Sequence, residues 1–182
     1  MTADTEPATF FLDRDGVINR RLPGAYVRHR SEFEFLPRAT EALRLLTEAG
    51  RRLIIVTNQR GIARGLMTEA ELHALHAWML AELDEAGAHI AAIYFCPHDN
   101  GECECRKPQP GMLAQAQRDF PDIDLAAAVL IGDSWSDMQA GRQAGCRTML
   151  VSSDPSPEAV ALASDGVMPS LYEAVLFYLN QQ

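Results

Sequence analysis

Thr9-Phe10-Phe11-Leu12-Asp13-Arg14-Asp15-Gly16 decides how the rest of the chain is read. A short apolar run, of the right length for a buried strand, ends in two carboxylates two positions apart and then a glycine. Residues i and i+2 of a strand point to one side, so Asp13 and Asp15 are expected to project together from its C-terminal end. Open α/β sheets hold their ligands at that edge. Carboxylates this close repel unless a cation or a shared proton intervenes, which points to Mg²⁺, a hard cation that takes oxygen ligands. An Asp-Gly pair alone also fits a solvated turn, so the rest of the chain has to decide.

Strand and helix signals alternate along that chain. Pro37 is expected to open a helix that places Ala39, Ala42, Leu43, Leu46 and Ala49 inward and closes at Gly50. Residues 52–57 read as a second buried strand, and 90–95 as a third. Between them Thr68 and Glu71 form a capping box ahead of the apolar stripe Leu72, Leu75, His76, Met79, Leu80 and Leu83. His76 lies on that stripe and reads as a core residue. Pro110 opens a further helix, 127–131 is a fourth strand, and Gly132-Asp133-Ser134-Trp135-Ser136-Asp137 leads into a short helix ending at Gly145. A fifth strand over 147–151, a short sixth over 165–168 and a closing helix through Leu171, Ala174, Val175 and Tyr178 complete the chain. Residues 17–36, with Arg20, Arg21, Arg28 and Arg30, read as a polar loop able to overhang the carboxylates. The alternation predicts an α/β fold, a doubly wound parallel sheet with helices on both faces, as a single domain over residues 1–182.

Composition sets the class. Hydrophobic residues make up 47% and charged residues 23% of the 182, as in a soluble globular protein. No apolar run approaches the roughly 20 residues of a membrane span. Residues 1–7 are acidic and lack the pattern of a secretory leader, so a cytoplasmic protein is expected. A net charge of −9 argues against non-specific nucleic-acid binding. Of 16 basic residues 15 are Arg, and Lys107 is the one lysine. A compact ammonium there suits a place that a guanidinium cannot fill.

Cys96, His98, Cys103 and Cys105 follow the spacing C-x-H-x4-C-x-C. Such a cluster in a reducing compartment reads as metal rather than disulfide. Three thiolates and one imidazole make a closed tetrahedral Zn²⁺ set with no position left for water, hence a structural site. Cys146 lies outside the set and reads as a small core residue.

Four strand ends carry polar chemistry: Asp13/Asp15, Thr57/Asn58, Arg106/Lys107 just past the third strand, and Asp133/Asp137. A parallel sheet brings them to one edge. A carboxylate can attack phosphorus, and a second can protonate the leaving alkoxide and later deprotonate water. A hydroxyl and a lysine can hold the remaining phosphoryl oxygens.

Asp13-Arg-Asp15-Gly16, Thr57, Lys107 and Gly132-Asp133-x-x-x-Asp137, in this order, resemble the four motifs of the haloacid dehalogenase (HAD) superfamily of phosphatases across nearly the whole chain. The resemblance implies a Rossmann-like HAD fold, Asp13 as nucleophile and Asp15 as general acid/base, with Thr57 and Lys107 on the phosphoryl oxygens. It implies Mg²⁺ held by Asp13, the Asp15 carbonyl and Asp133, with Asp137 behind them. The spacing between motifs leaves no room for a cap domain. Thr57-Asn-Gln-Arg-Gly-Ile-Ala-Arg-Gly65, Cys96-Pro-His98 and Cys105-Arg-Lys-Pro-Gln-Pro-Gly-Met112 are closer still to the heptose bisphosphate phosphatases of that superfamily, and match their zinc loop. That likeness implies removal of the C7 phosphate of a heptose 1,7-bisphosphate. A monomer is expected. The histidinol-phosphate phosphatases, which share part of these stretches, are the alternative. Asn58, Gln59, Arg60, Arg64 and Arg106 are the expected contacts to a small phosphorylated sugar. Phospho-aspartate receiver modules also use Asp, Thr, Lys and Mg²⁺, but lack a second acid at the place of Asp15.

Overall fold

The computed structural model describes residues 8–181, so the reading of residues 1–7 as leaderless lies outside the described residues. Six strands form one sheet: β1 (Thr9–Leu12), β2 (Arg52–Asn58), β3 (Ala92–Cys96), β4 (Val129–Gly132), β5 (Arg147–Val151) and β6 (Val167–Met168). Their order is β3-β2-β1-β4-β5-β6 and every neighbouring pair is parallel. The chain winds outward from β1 to β3, then crosses back to lay β4 on the other side of β1. The reversal between β1 and β4 is where doubly wound sheets open a ligand crevice. Leu12 pairs with Ile55 on one side and Ile131 on the other, so the polar residues that follow reach the same edge at the same depth.

Alternation along the strands feeds two cores. Phe10, Leu12, Leu53, Ile55, Val129 and Ile131 pack in one cluster with α1 (Ala39–Glu48), α2 (Glu69–Glu85) and α6 (Leu171–Leu179). Phe11, Ile54, Val56 and Leu130 face the opposite way, toward α3 (Gly111–Asp119) and α4 (Trp135–Ala144). Each such side chain is fully buried and contributes about 1.5–3 kcal/mol. The predicted doubly wound sheet is therefore present, and the capping box of Thr68 and Glu71 opens α2 as expected.

Several local expectations shift. α1 begins at Ala39 rather than Pro37, because Arg38 takes a left-handed conformation with φ 60° as its N-cap. Its guanidinium donates to both Glu41 oxygens at 2.8 and 2.9 Å and lies 3.3 Å from the centroid of the Tyr172 ring. β3 starts at Ala92 and continues to Cys96, since pairing with Ile54 through Asn58 of β2 sets its span. The helix α5 (Pro157–Val160) was not foreseen, being too short to show a period. Residues 17–36 are not simply a polar loop: Val17, Ile18, Val27 and Phe33 are buried, and a short 3-10 turn spans Arg30–Glu32. With that segment and α1 between β1 and β2, and only α2 between β2 and β3, no cap domain is inserted. No helix among the described residues is long and apolar enough to cross a membrane.

Candidate active site

Asp13, Asp15, Thr57, Lys107 and Asp133 line one cleft of about 360 Å³ beyond the C-terminal ends of β1, β2 and β4. Asp13 is fixed at its root, its amide donating to the Ile131 carbonyl at 2.9 Å. Lys107 is buried to 3% exposure, with Nζ 2.9 Å from Asp13, 2.5 Å from Asp137 and donating to the Val56 carbonyl at 2.8 Å. Burial lowers the basicity of Lys107, but Asp13 and Asp137 outweigh it and hold that basicity well above the ordinary value.

The carboxylates show a shortage of positive charge. Burial, with repulsion from Asp137 added, pushes Asp13 up to about 8 although Lys107 pulls it down. Burial and Asp137 likewise push Asp133 up to about 6 against the pull of Arg21, whose Nη1 lies 3.3 Å from it. Oxygens of Asp13, Asp133 and Asp137 lie within 4.8 Å of one another. Asp137 is already committed to Lys107 and to the amide and hydroxyl of Ser134, which leaves Asp13 and Asp133 to face a cation. All are oxygen donors, as Mg²⁺ requires.

Glycine is needed at two places around this cluster. At Gly16, with φ +97°, a Cβ would stand 2.0 Å from Asp133 Oδ2. At Gly132 it would stand 2.2 Å from the Asp137 side chain. Gly16→Ala is expected to displace Asp133 and weaken Mg²⁺ binding, read as the shift in melting temperature on Mg²⁺ titration; an unchanged titration would show that Asp133 does not hold the metal.

Asp15 is held by three donors. Arg14 Nη2 reaches both oxygens at 3.1 and 2.9 Å, Asn19 Nδ2 lies at 2.9 Å, and Gln59 Nε2 at 3.0 Å. Burial pushes its carboxyl up, but Arg14 and these hydrogen bonds outweigh it and leave Asp15 below the usual carboxylate range. The same Gln59 Nε2 donates to Thr57 Oγ1 at 2.9 Å.

The expected substrate contacts divide. Asn58 exchanges two hydrogen bonds of 3.0 Å with the backbone of Lys107, and Gln59 is buried at 1% exposure between Asp15 and Thr57. Both brace the machinery and still line the cleft. Arg60, Arg64 and Arg106 line it as well, joined by Arg21 and Tyr26 from the segment after β1. Arg60 also pairs with Asp99 at 2.5 Å, and Arg106 Nε donates to Asn100 at 2.8 Å.

Those two acceptors belong to the cysteine loop. Cys96, His98, Cys103 and Cys105 converge, with Sγ···Sγ separations of 3.5 and 3.2 Å and His98 Nδ1 at 3.6 and 3.4 Å from two sulfurs. Tetrahedral Zn²⁺ with its usual bond lengths needs ligand atoms roughly 3.5–3.8 Å apart; two of the separations meet this and the two at Cys105 are slightly shorter, so small shifts of the Cys105 side chain would let the set take zinc. The loop is sewn to the end of β2: Gln59 N donates to Cys96 O at 2.8 Å and Ala63 N to Pro97 O at 3.0 Å. Cys103→Ser is expected to lose zinc by elemental analysis and to lower kcat, because the loop leads directly into Lys107; full activity in a zinc-free variant would disconnect the two.

Comparison with known proteins agrees with this geometry. A HAD-hydrolase-like family model matches residues 104–174. D-glycero-beta-D-manno-heptose-1,7-bisphosphate 7-phosphatase of Escherichia coli (strain K12) is 40% identical, covering 99% of this chain and 97% of that protein. The enzyme of the same name from Yersinia pestis is 41% identical over 88% of this chain and 89% of its own. The chain belongs to this family of HAD phosphatases. The structure of D,D-heptose 1,7-bisphosphate phosphatase from B. bronchiseptica, complexed with magnesium and phosphate, superposes with TM-score 0.87 at 36% identity, covering 96% of this chain and 99% of that one. As a HAD phosphatase, the protein is a phosphoric monoester hydrolase, and its paired Asp13 and Asp133 fit the magnesium of that class.

Proposed function

We propose that this phosphatase removes the C7 phosphate of D-glycero-D-manno-heptose 1,7-bisphosphate and leaves the 1-phosphate. The likeness over the full chain to enzymes of that name supports the substrate. The observation that carries the mechanism is the placement of Asp13 against Lys107 with Asp15 beside it in one cleft.

Asp15, an anion at rest, takes the proton of the incoming phosphate monoanion; Asp13 attacks phosphorus, the bond from phosphorus to the C7 oxygen breaks, and Asp15 passes that proton to the departing alkoxide. Asp15, again the anion held by Arg14, Asn19 and Gln59, takes a proton from the water that attacks the aspartyl-phosphate, and Asp13 is released. The Thr57 hydroxyl holds a phosphoryl oxygen, and the charge of Lys107, its donors on Asp13, Asp137 and the Val56 carbonyl, neutralises the group from beside Asp13. When bound, Mg²⁺ neutralises charge between the nucleophile and those oxygens. Arg60, Arg64 and Arg106 ring the mouth, where the rest of an anionic sugar would lie.

A cytoplasmic monomer is expected; a reducing compartment would keep Cys96, Cys103 and Cys105 available as zinc ligands. Phosphate release is to be measured from both anomers of the heptose bisphosphate, beside histidinol phosphate and fructose 1,6-bisphosphate, with and without chelator. The highest kcat/KM is expected on the heptose bisphosphate. A preference for histidinol phosphate would move the chain to that activity. A lasting phospho-aspartate without phosphate release would make it a receiver.

A further inference from the structure

Arg14 lies between the two catalytic acids, yet it lines no part of the cleft. It is fully buried, at 0% exposure. A guanidinium cannot shed its charge, and burying one costs several kcal/mol before its partners compensate. Packing alone would be served by an apolar side chain of similar volume.

Its side-chain partners are Asp15 and His76. Nη2 grips both Asp15 oxygens, while Nη1 lies 3.0 Å from Nε2 of His76, which projects from the buried face of α2. The guanidinium has donors only, so Nε2 must accept, and the ring is neutral with its proton on Nδ1. Burial, then the Arg14 charge, pushes His76 down to about 3, in keeping with a neutral ring. Phe95 stands edge-on to the imidazole at 6.2 Å. The Arg14 carbonyl in turn accepts from the amides of Val17, Ile18 and Asn19 at 3.4, 2.9 and 3.0 Å, so main chain and side chain are both anchored.

We propose that His76 and Arg14 are positioning residues that aim the Asp15 carboxyl at the leaving-group oxygen. α2 fixes the imidazole, the imidazole holds Nη1 of the guanidinium, and Nη2, placed between the two Asp15 oxygens, holds the carboxyl. The proposal rests on Asp15 being the general acid/base and extends that role to two side chains outside the cleft.

The test uses leaving groups. A sugar alkoxide needs a proton to depart, whereas p-nitrophenolate leaves without one. Single-turnover formation of the phospho-enzyme is measured for the intact protein, His76→Leu and His76→Gln, with heptose 1,7-bisphosphate and with p-nitrophenyl phosphate. His76→Leu is expected to slow transfer from the sugar ester about tenfold or more, part of the range for acid catalysis, with KM unchanged. Transfer from the aryl ester should stay within about twofold, because general-acid help to that leaving group is not needed. His76→Gln, whose amide oxygen can accept from Arg14, should restore most of the sugar-ester rate. Equal slowing of both esters, no slowing of either, or a folded His76→Gln no better than His76→Leu would each overturn the proposal. Should His76→Leu fail to fold, His76→Asn, whose shorter amide stops short of Arg14, takes its place with the same expectation. An intact protein inactive on both esters would instead remove the phosphatase reading itself.

Discussion

Asp13→Asn is expected to abolish turnover and to erase most of the rise in melting temperature that Mg²⁺ gives the unaltered protein. An amide oxygen does not attack phosphorus, and it brings no charge to a cation. A ligand that binds only the folded state stabilises it by about 2.7 kcal/mol when present at a hundred times its dissociation constant. In the proposed site that increment should depend on Asp13 and Asp133 together. The fold should survive, since Lys107 keeps its ion pair with Asp137 and its bond to Val56. Asp15→Asn separates the two roles of the acid pair. It should slow turnover about 10²–10⁴-fold, the usual worth of general acid/base catalysis, yet leave the Mg²⁺ shift largely in place. Stopped assays and thermal melts on both variants decide the matter; appreciable turnover by Asp13→Asn would end the aspartyl-phosphate mechanism.

Lys107→Arg is the second large effect, and it conserves charge. The ammonium sits in a space shared by Asp13, Asp137 and the Val56 carbonyl, and its exposure is only 3%. Three donors on one tetrahedral nitrogen match three acceptors around a point. A planar guanidinium is wider and carries its donors in a rigid fork, so it cannot meet all three without pushing Asp13 off line. A loss of about 10²-fold or more in kcat is expected, comparable to removing one transition-state donor. The chain otherwise uses Arg for every one of its remaining 15 basic positions, which makes this exception informative. An unchanged kcat would show that charge alone suffices there.

The parts of the site legible in the sequence were those written in local pattern. The apolar run before Asp13 gave β1, alternation gave the parallel sheet, and shared strand ends brought Asp13, Thr57, Lys107 and Asp133 together. Cysteine spacing placed the four zinc-loop ligands side by side. What the pattern could not show were contacts between residues far apart in the chain. His76 satisfied the apolar period of α2 so well that nothing in the period pointed to Arg14, 62 positions earlier. Asn58 and Gln59, expected as substrate contacts, do line the cleft, but their bonds to the Lys107 backbone and to Asp15 could not be read from the pattern. A signal was nonetheless present: an arginine between two acids, at the end of a strand buried on both faces, has little choice but to find an internal acceptor.

The stitching between the cysteine loop and the end of β2 has a consequence for discrimination. Backbone bonds from Gln59 and Ala63, with the Arg60–Asp99 pair, fix the walls of the cleft before any substrate arrives. Enzymes that close a lid can let the right substrate drive the closure, and so reject near-misses twice. A walled cleft with no inserted cap sorts its ligands once, on static fit. Where two sugars differ by a single apolar contact the separation is only about 1–3 kcal/mol, so slow turnover of such near relatives is expected. High fidelity in the cell must then rest on which phosphorylated sugars are abundant enough to compete.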